Sequence, residues 1–141
     1  MAEWMEAHRA VVFPWHCDHM GHMNVRWYAH AFDDAGFHLW SQIGLSHATL
    51  GKRGVATVIA RTETDFKHEA SAGELLVVRS AFTRLGTKSL TMSQRMTNAE
   101  TGALCATQEA VEVFFDLKTR AAIPIPADIR AKLEAVTARP E

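Results

Sequence analysis

The spacing of apolar residues changes once along this chain, and that change constrains the fold more than any other feature. From Val25 onward, Tyr28, Ala31, Phe32, Ala35, Leu39, Trp40 and Ile43 recur at steps of three or four, which is helical spacing. Asn24 is a favoured N-cap and Gly44 a natural stop, so the pattern predicts one helix of about five turns. Beyond it the runs become strand-like. Val55 to Glu69 is rich in Val, Ile and Thr, and Ala72-Gly73-Glu74 breaks it. Leu75 to Leu85 and Ser89 to Thr97 follow, separated by Gly86. In the second of these, Leu90, Met92 and Met96 alternate with Thr91, Ser93 and Arg95, the period of a half-buried strand. Asn98 to Gly102 reads as a hairpin turn, and Ala103 to Asp116 as a last long strand.

Two shorter elements flank this core. Arg9 to Pro14 is an apolar run consistent with a first strand, and residues 15–24 have no period and read as a loop. Pro126 opens a C-terminal helix with Ile129, Leu133 and Val136 inward. A strand, a long helix and then four strands joined by short turns imply an α+β class, with a mostly antiparallel sheet and the helix on its face. Such a sheet has an edge to cover, which favours a partner subunit. The 141 residues, 48% apolar, are expected to form a single domain over 1–141 that holds its core without disulfide or metal. The net charge of −1 shows no basic stripe, which argues against nucleic acid as a partner. Two cysteines are too few for a secreted disulfide framework. With no leader-like N-terminus and no membrane span, the default expectation is a soluble cytoplasmic protein with no membrane partner.

Chemistry concentrates in Asp18-His19-Met20-Gly21-His22-Met23-Asn24, between the first strand and the long helix. Asp before Gly often caps its own turn. A carboxylate can also act as nucleophile or general base. With Asn24 as cap, the N–H groups of Val25, Arg26 and Trp27 lack helical carbonyl partners, and the helix dipole favours negative charge there. Asn24 can satisfy Arg26 or Trp27, which leaves the Val25 N–H available. A carboxylate beside such donors is what thioester hydrolysis requires. His22 either orients Asp18 or a substrate carbonyl, or simply ties the loop down. His16, His19 and His22, with Cys17 between, allow a metal-binding reading, although no second Cys/His cluster of familiar spacing follows.

The motif Asp18-x-x-Gly21-His22-Met23-Asn24-x-x-x-Tyr28, followed by Phe32-Asp33-Asp34-Ala35, resembles the signature of the 4-hydroxybenzoyl-CoA thioesterase-like family of hotdog-fold proteins. Asp65-Phe66 with Ala72-Gly73-Glu74, the turn Leu85-Gly86-Thr87-Lys88-Ser89, Asn98-x-x-Thr101-Gly102 and Val113-Phe114-Phe115-Asp116 extend the resemblance in order, from about Arg9 to Leu133. It implies the hotdog fold, a curved antiparallel sheet wrapped around one long central helix. It also implies acyl-CoA thioesterase activity without a cofactor, in a homodimer or homotetramer whose sites are completed by the partner chain. Asp18 takes the role of nucleophile or base, and the Val25 N–H that of oxyanion donor. Gly21 lets the chain pass close to the thioester.

The resemblance also suggests substrate-binding positions. They are Asn24 and Tyr28, Asp34 at the family's acidic helix position, Thr57 in the stretch lining the acyl pocket, and Arg84 and Lys88 at the turn nearest CoA phosphates, with Lys67 near another strand end. The chain departs from many relatives at His16, where they carry Asp, and at Val25, where a second Asn is common. A non-catalytic acyl-CoA binding module is an alternative beside the metal-binding reading. The His-Phe-Pro and Asp-x-Asn-x-x-His settings of hotdog dehydratases do not occur here.

Overall fold

In a computed structural model, which describes residues 2–141, the described residues form six strands and three α-helices. Strand β1 spans Met5–Val11, helix α1 Val25–Gln42, helix α2 His47–Lys52, strand β2 Val55–Phe66, strand β3 Leu75–Leu85, strand β4 Ser89–Asn98, strand β5 Leu104–Asp116, strand β6 Ala121–Ala122 and helix α3 Ala127–Val136. All pairings are antiparallel, in the order β1-β3-β4-β5-β2, with β6 paired to β5. This is the hotdog arrangement that the resemblance implies.

Helix α1 begins and ends where its local signals require. Asn24 sits in extended backbone (φ −70°, ψ 148°) and its side-chain oxygen accepts from the Arg26 N–H. The helix packs on β1 and β3, and buries Tyr28, Ala31, Phe32, Ala35, Gly36, Leu39 and Trp40. Burying each large apolar side chain stabilises the fold by roughly 1.5–3 kcal/mol. A Cβ at Gly36 would lie 2.9 Å from Met92 Cε, so the flexible end of that methionine rests on the space the glycine leaves. Gln94 shares the inward face of β4 with Leu90, Met92 and Met96. Its burial is compensated, because its amide donates to Phe32 O at 2.8 Å and accepts from Ser80 Oγ at 2.6 Å.

Three local expectations are corrected. The first strand starts four residues and ends three residues earlier than Arg9–Pro14, because pairing from Met5↔Ser80 to Val11↔Leu75 with β3 defines it, with an irregularity between Glu6 and His8. Pro14 lies outside it and opens a single 3₁₀ turn, Pro14–His16, where its missing N–H costs nothing. Strand β2 ends at Phe66 rather than Glu69, because the Lys67 and His68 N–H groups both turn to Cys105 O at 2.8 and 3.1 Å. Helix α2 and strand β6 are additions. The α2 start carries a readable cap, Ser46, whose hydroxyl accepts from Thr49 N at 3.1 Å.

Strand β2 forms one end of the sheet, and most of its residues are exposed on both faces. Val58 and Ile59 are 44% and 47% exposed, unusual for apolar residues in the middle of a long strand. No helix among the described residues is long and apolar enough to cross a membrane.

Candidate active site

The segment before α1 folds back on itself. The Asp18 N–H donates to His22 O at 3.0 Å, and the Gly21 N–H to Asp18 O at 3.0 Å. Gly21 makes this reversal possible with φ +78°, a backbone region costly for residues with a Cβ. In this chain nothing lies within 4 Å of where its Cβ would be, so the conformation, not crowding, requires glycine. The connection from β2 to β3 then clasps the loop from the other side. Met23 N donates to Ala70 O at 2.7 Å, and His22 bridges Ser71. Val12 and Gly73–Glu74 exchange further backbone bonds.

This docking builds a cleft of about 380 Å³, lined by Asp18, Met20, His22, Met23, Val25, Tyr28, Phe66, Lys67, His68 and Glu69. The Asp18 carboxylate accepts from the Met20 N–H at 2.9 Å through Oδ1, and from the Asn24 amide at 3.5 Å through Oδ2. The Met20 N–H, and then the Asn24 amide, hold its carboxyl below the ordinary carboxylate range, so it carries charge at neutral pH. At the start of α1, Arg26 N bonds Asn24 Oδ1 at 3.2 Å and Trp27 N bonds Asn24 O at 2.9 Å. Among the described residues no hydrogen bond from the Val25 N–H is found, and Val25 is 61% exposed. The cleft is therefore lined both by Asp18, with its ionised carboxylate, and by Val25, the first residue of α1, whose N–H is unengaged.

Of the other expected residues, Tyr28 is here, buried and edge-on to Phe66 at 5.1 Å, with its phenol pushed up by burial. His22 lines the cleft, but its imidazole turns to Glu69, with Nε2 3.1 Å from Oε2, while Met20 N–H and the Asn24 amide bond the Asp18 carboxylate. Asp34 faces elsewhere: its Oδ2 lies 3.4 Å from His30 Nε2 and 3.8 Å from His8 Nε2, in a separate cleft between α1 and β1.

Thr57, Arg84 and Lys88 are not brought to Asp18 within one chain. Thr57 lies nine residues from Phe66 along β2, and Arg84 nine from Leu75 along β3, about 30 Å of strand in each case. Lys88 is in the β3–β4 turn at that same far end. Thr57 instead donates to Glu112 Oε1 at 2.9 Å. Glu112 is 4% exposed, also accepts from Trp40 Nε1 at 3.3 Å, and has its carboxyl pushed up by burial. Lys67, by contrast, lines the Asp18 cleft.

Phe66, His68 and Glu69 are not among the expected site residues, although Phe66 belongs to a motif of the resemblance. They come from the last residue of β2 and the β2–β3 connection, more than forty residues from Asp18, and no local pattern announces their docking on that loop. The imidazoles of the alternative metal site diverge, since His16 Nδ1 accepts from Phe13 N at 3.0 Å while His22 turns to Glu69. Among the described residues no three His, Cys, Asp or Glu side chains are grouped to hold a metal ion.

Comparison with known proteins agrees with this fold. Residues 11–133 match the thioesterase-like superfamily. No curated protein matches the chain in sequence. Among solved structures, a hypothetical protein of Staphylococcus aureus in complex with CoA superposes with a TM-score of 0.86 at 19% identity, over 100% of this chain and 90% of that one. YbaW, a probable thioesterase of Escherichia coli, gives 0.82 at 24% identity, over 95% and 100%. The 1,4-dihydroxy-2-naphthoyl-CoA thioesterase of Synechocystis gives 0.78 at 20%, over 89% and 93%. At these identities the likeness establishes the fold.

Proposed function

The chain belongs to the thioesterase-like superfamily, and from that premise we propose that it hydrolyses an acyl-CoA thioester in the Asp18 cleft. One observation carries this reading: Asp18, with its ionised carboxylate, and Val25, whose N–H is unengaged, line the same cleft at the start of α1. The thioester carbonyl accepts from the Val25 N–H, where the helix terminus stabilises charge developing on oxygen. Asp18 attacks the carbonyl carbon to form a mixed anhydride, or takes a proton from the attacking water. In either route the acyl–sulfur bond breaks and water supplies the new hydroxyl. The products are a carboxylic acid and CoA thiol. Lys67 at the cleft supports binding of an anionic carrier, and the S. aureus neighbour's complex with CoA supports CoA as that carrier.

The working unit in this reading is a homodimer joined at β2, either alone or paired into a tetramer. The exposed edge of β2, with Val58 and Ile59 on it, supports a continued sheet. Two β2 strands paired antiparallel bring the Thr57, Arg84 and Lys88 end of one chain to the Asp18 end of the other. That accounts for their separation within a single chain. Light scattering at micromolar concentration should give at least twice the 15.7 kDa chain mass. A monomer rules the composite site out.

A panel of aryl-, short- and long-chain acyl-CoA substrates, assayed for free thiol release, tests the activity itself. Turnover of at least one class is expected. A chain that binds acyl-CoA but releases no thiol from any class would be a binding module.

A further inference from the structure

We propose that Asn24 is a positioning residue for Asp18 as well as the cap of α1, with its amide held in register by Arg26. This rests on the thioesterase reading of the cleft. An asparagine amide can be turned either way, and its neighbours decide which end faces where. Here two donors converge on Oδ1: the Arg26 backbone N–H at 3.2 Å and the Arg26 Nε–H, also at 3.2 Å. Oδ1 is therefore committed to Arg26, and Nδ2 is left facing Asp18 Oδ2 at 3.5 Å. Reversing the amide would put its N–H groups against two donors and its oxygen against a carboxylate, unfavourable at both ends.

The backbone of Asn24 is anchored too, since its N–H donates to His16 O at 2.8 Å. Asp18 is consequently held through both oxygens, by Met20 N–H on one and the Asn24 amide on the other. The residue that orients Asp18 immediately precedes Val25, the proposed oxyanion donor. One side chain thus sets the distance between the attacking group and the carbonyl's docking point. Serine or aspartate would cap α1 about as well. An ionised aspartate has no donor to offer Asp18, and a serine hydroxyl stops one bond short of the Asn24 Nδ2 that lies 3.5 Å from Asp18 Oδ2, so capping alone does not account for asparagine here.

Three variants separate the two roles. Asn24→Ser keeps an oxygen for the Arg26 N–H but removes Nδ2, leaving only a shorter hydroxyl that does not reach Asp18 Oδ2. Asn24→Asp also keeps the cap, and turns a second carboxylate toward the first. Arg26→Lys keeps the positive charge but loses the Nε–H directed at Oδ1. Two readouts apply: steady-state kinetics, and the Asp18 side-chain carboxyl resonance titrated in the resting protein. The second does not depend on turnover, so it remains decisive even if the chain hydrolyses no thioester tested.

Removing a donor to the charged form should move the Asp18 midpoint upward in Asn24→Ser, and further in Asn24→Asp, where like charge adds to the loss. In Asn24→Ser, kcat should fall about tenfold with KM nearly unchanged, the mark of a misplaced reacting group rather than lost binding. Arg26→Lys should fall between Asn24→Ser and the parent. An Asp18 titration unchanged in both Asn24 variants would overturn the proposal. So would a lower kcat with an unshifted Asp18, which would assign Asn24 to the substrate instead. Parent-like behaviour of Arg26→Lys would overturn Arg26's part.

Discussion

Replacing Asp18 with asparagine should lower thioester hydrolysis by about 10²–10⁴-fold, the range that a positioned base contributes, while leaving the fold intact. The amide oxygen can still accept the Met20 N–H that now bonds Oδ1. The turn is also held by backbone bonds that the substitution does not touch, Asp18 N to His22 O and Gly21 N to Asp18 O. What disappears is the negative charge, and with it both the nucleophile and the base. The pH dependence follows from the same hydrogen bonds. Because they hold the Asp18 carboxyl below the ordinary carboxylate range, the parent's kcat/KM should show no acid limb from this group near neutrality. Activity should fall only as pH drops through that depressed value. Any stability from the charged form follows the same sign: it is present above the unfolded-state pKa and lost as pH falls through the folded one. Thiol-release assays on both proteins from pH 4 to 8 test these points. Near-parental turnover in Asp18→Asn would remove Asp18 from the chemistry.

Val25→Pro should lower kcat by roughly 10²–10³-fold, the cost of deleting one oxyanion donor. Proline suits this position on two counts. Val25 is the first residue of α1, where proline's fixed φ matches the helix and no intrahelical bond uses the lost N–H. Its predecessor Asn24 already has ψ 148°, the extended conformation that a following proline demands. The cap survives as well, because Asn24 Oδ1 bonds Arg26 N rather than Val25 N. Circular dichroism and thermal melting should therefore match the parent while turnover collapses. A well-folded variant with unchanged kcat would mean that the carbonyl is polarised elsewhere.

Signals confined to a few neighbouring residues were legible in the sequence. Helix α1 starts at Val25 and turns off at Ile43–Gly44, as its cap, stripe and glycine indicate. Strand β3 spans Leu75–Leu85 as read, and β4 and β5 differ by one residue at one end. The Asn98–Gly102 turn closes through Asn98 Oδ1, which accepts from the N–H groups of Glu100 and Thr101. Asp18, Gly21, His22, Asn24, Val25 and Tyr28 fall within eleven consecutive residues. A turn leading into a helix start leaves them little freedom to separate.

The remainder depended on which distant segments meet. Period-two alternation says which face of a strand is buried, but not which strand lies beside it. Met5–His8 became strand because β3 offered its edge, and not from their own apolar pattern. His22 faces Glu69 because the β2–β3 connection docks on the loop, a contact between segments more than forty residues apart. Thr57 and Arg84 belong to strands that also have an end near Asp18, but the register carries them to the opposite end. By itself, then, the sequence determined the long helix, the four main strands after the loop within a few residues, their order and the compact loop that holds the candidate chemistry, because caps, turns and apolar periodicity act over a few residues. Only the tertiary structure decided the strand order that leaves β2 at the edge, the wall that residues 66–69 add to the cleft, and the group each side chain faces. Those outcomes rest on backbone pairing and packing between segments far apart in the chain, which no local pattern records.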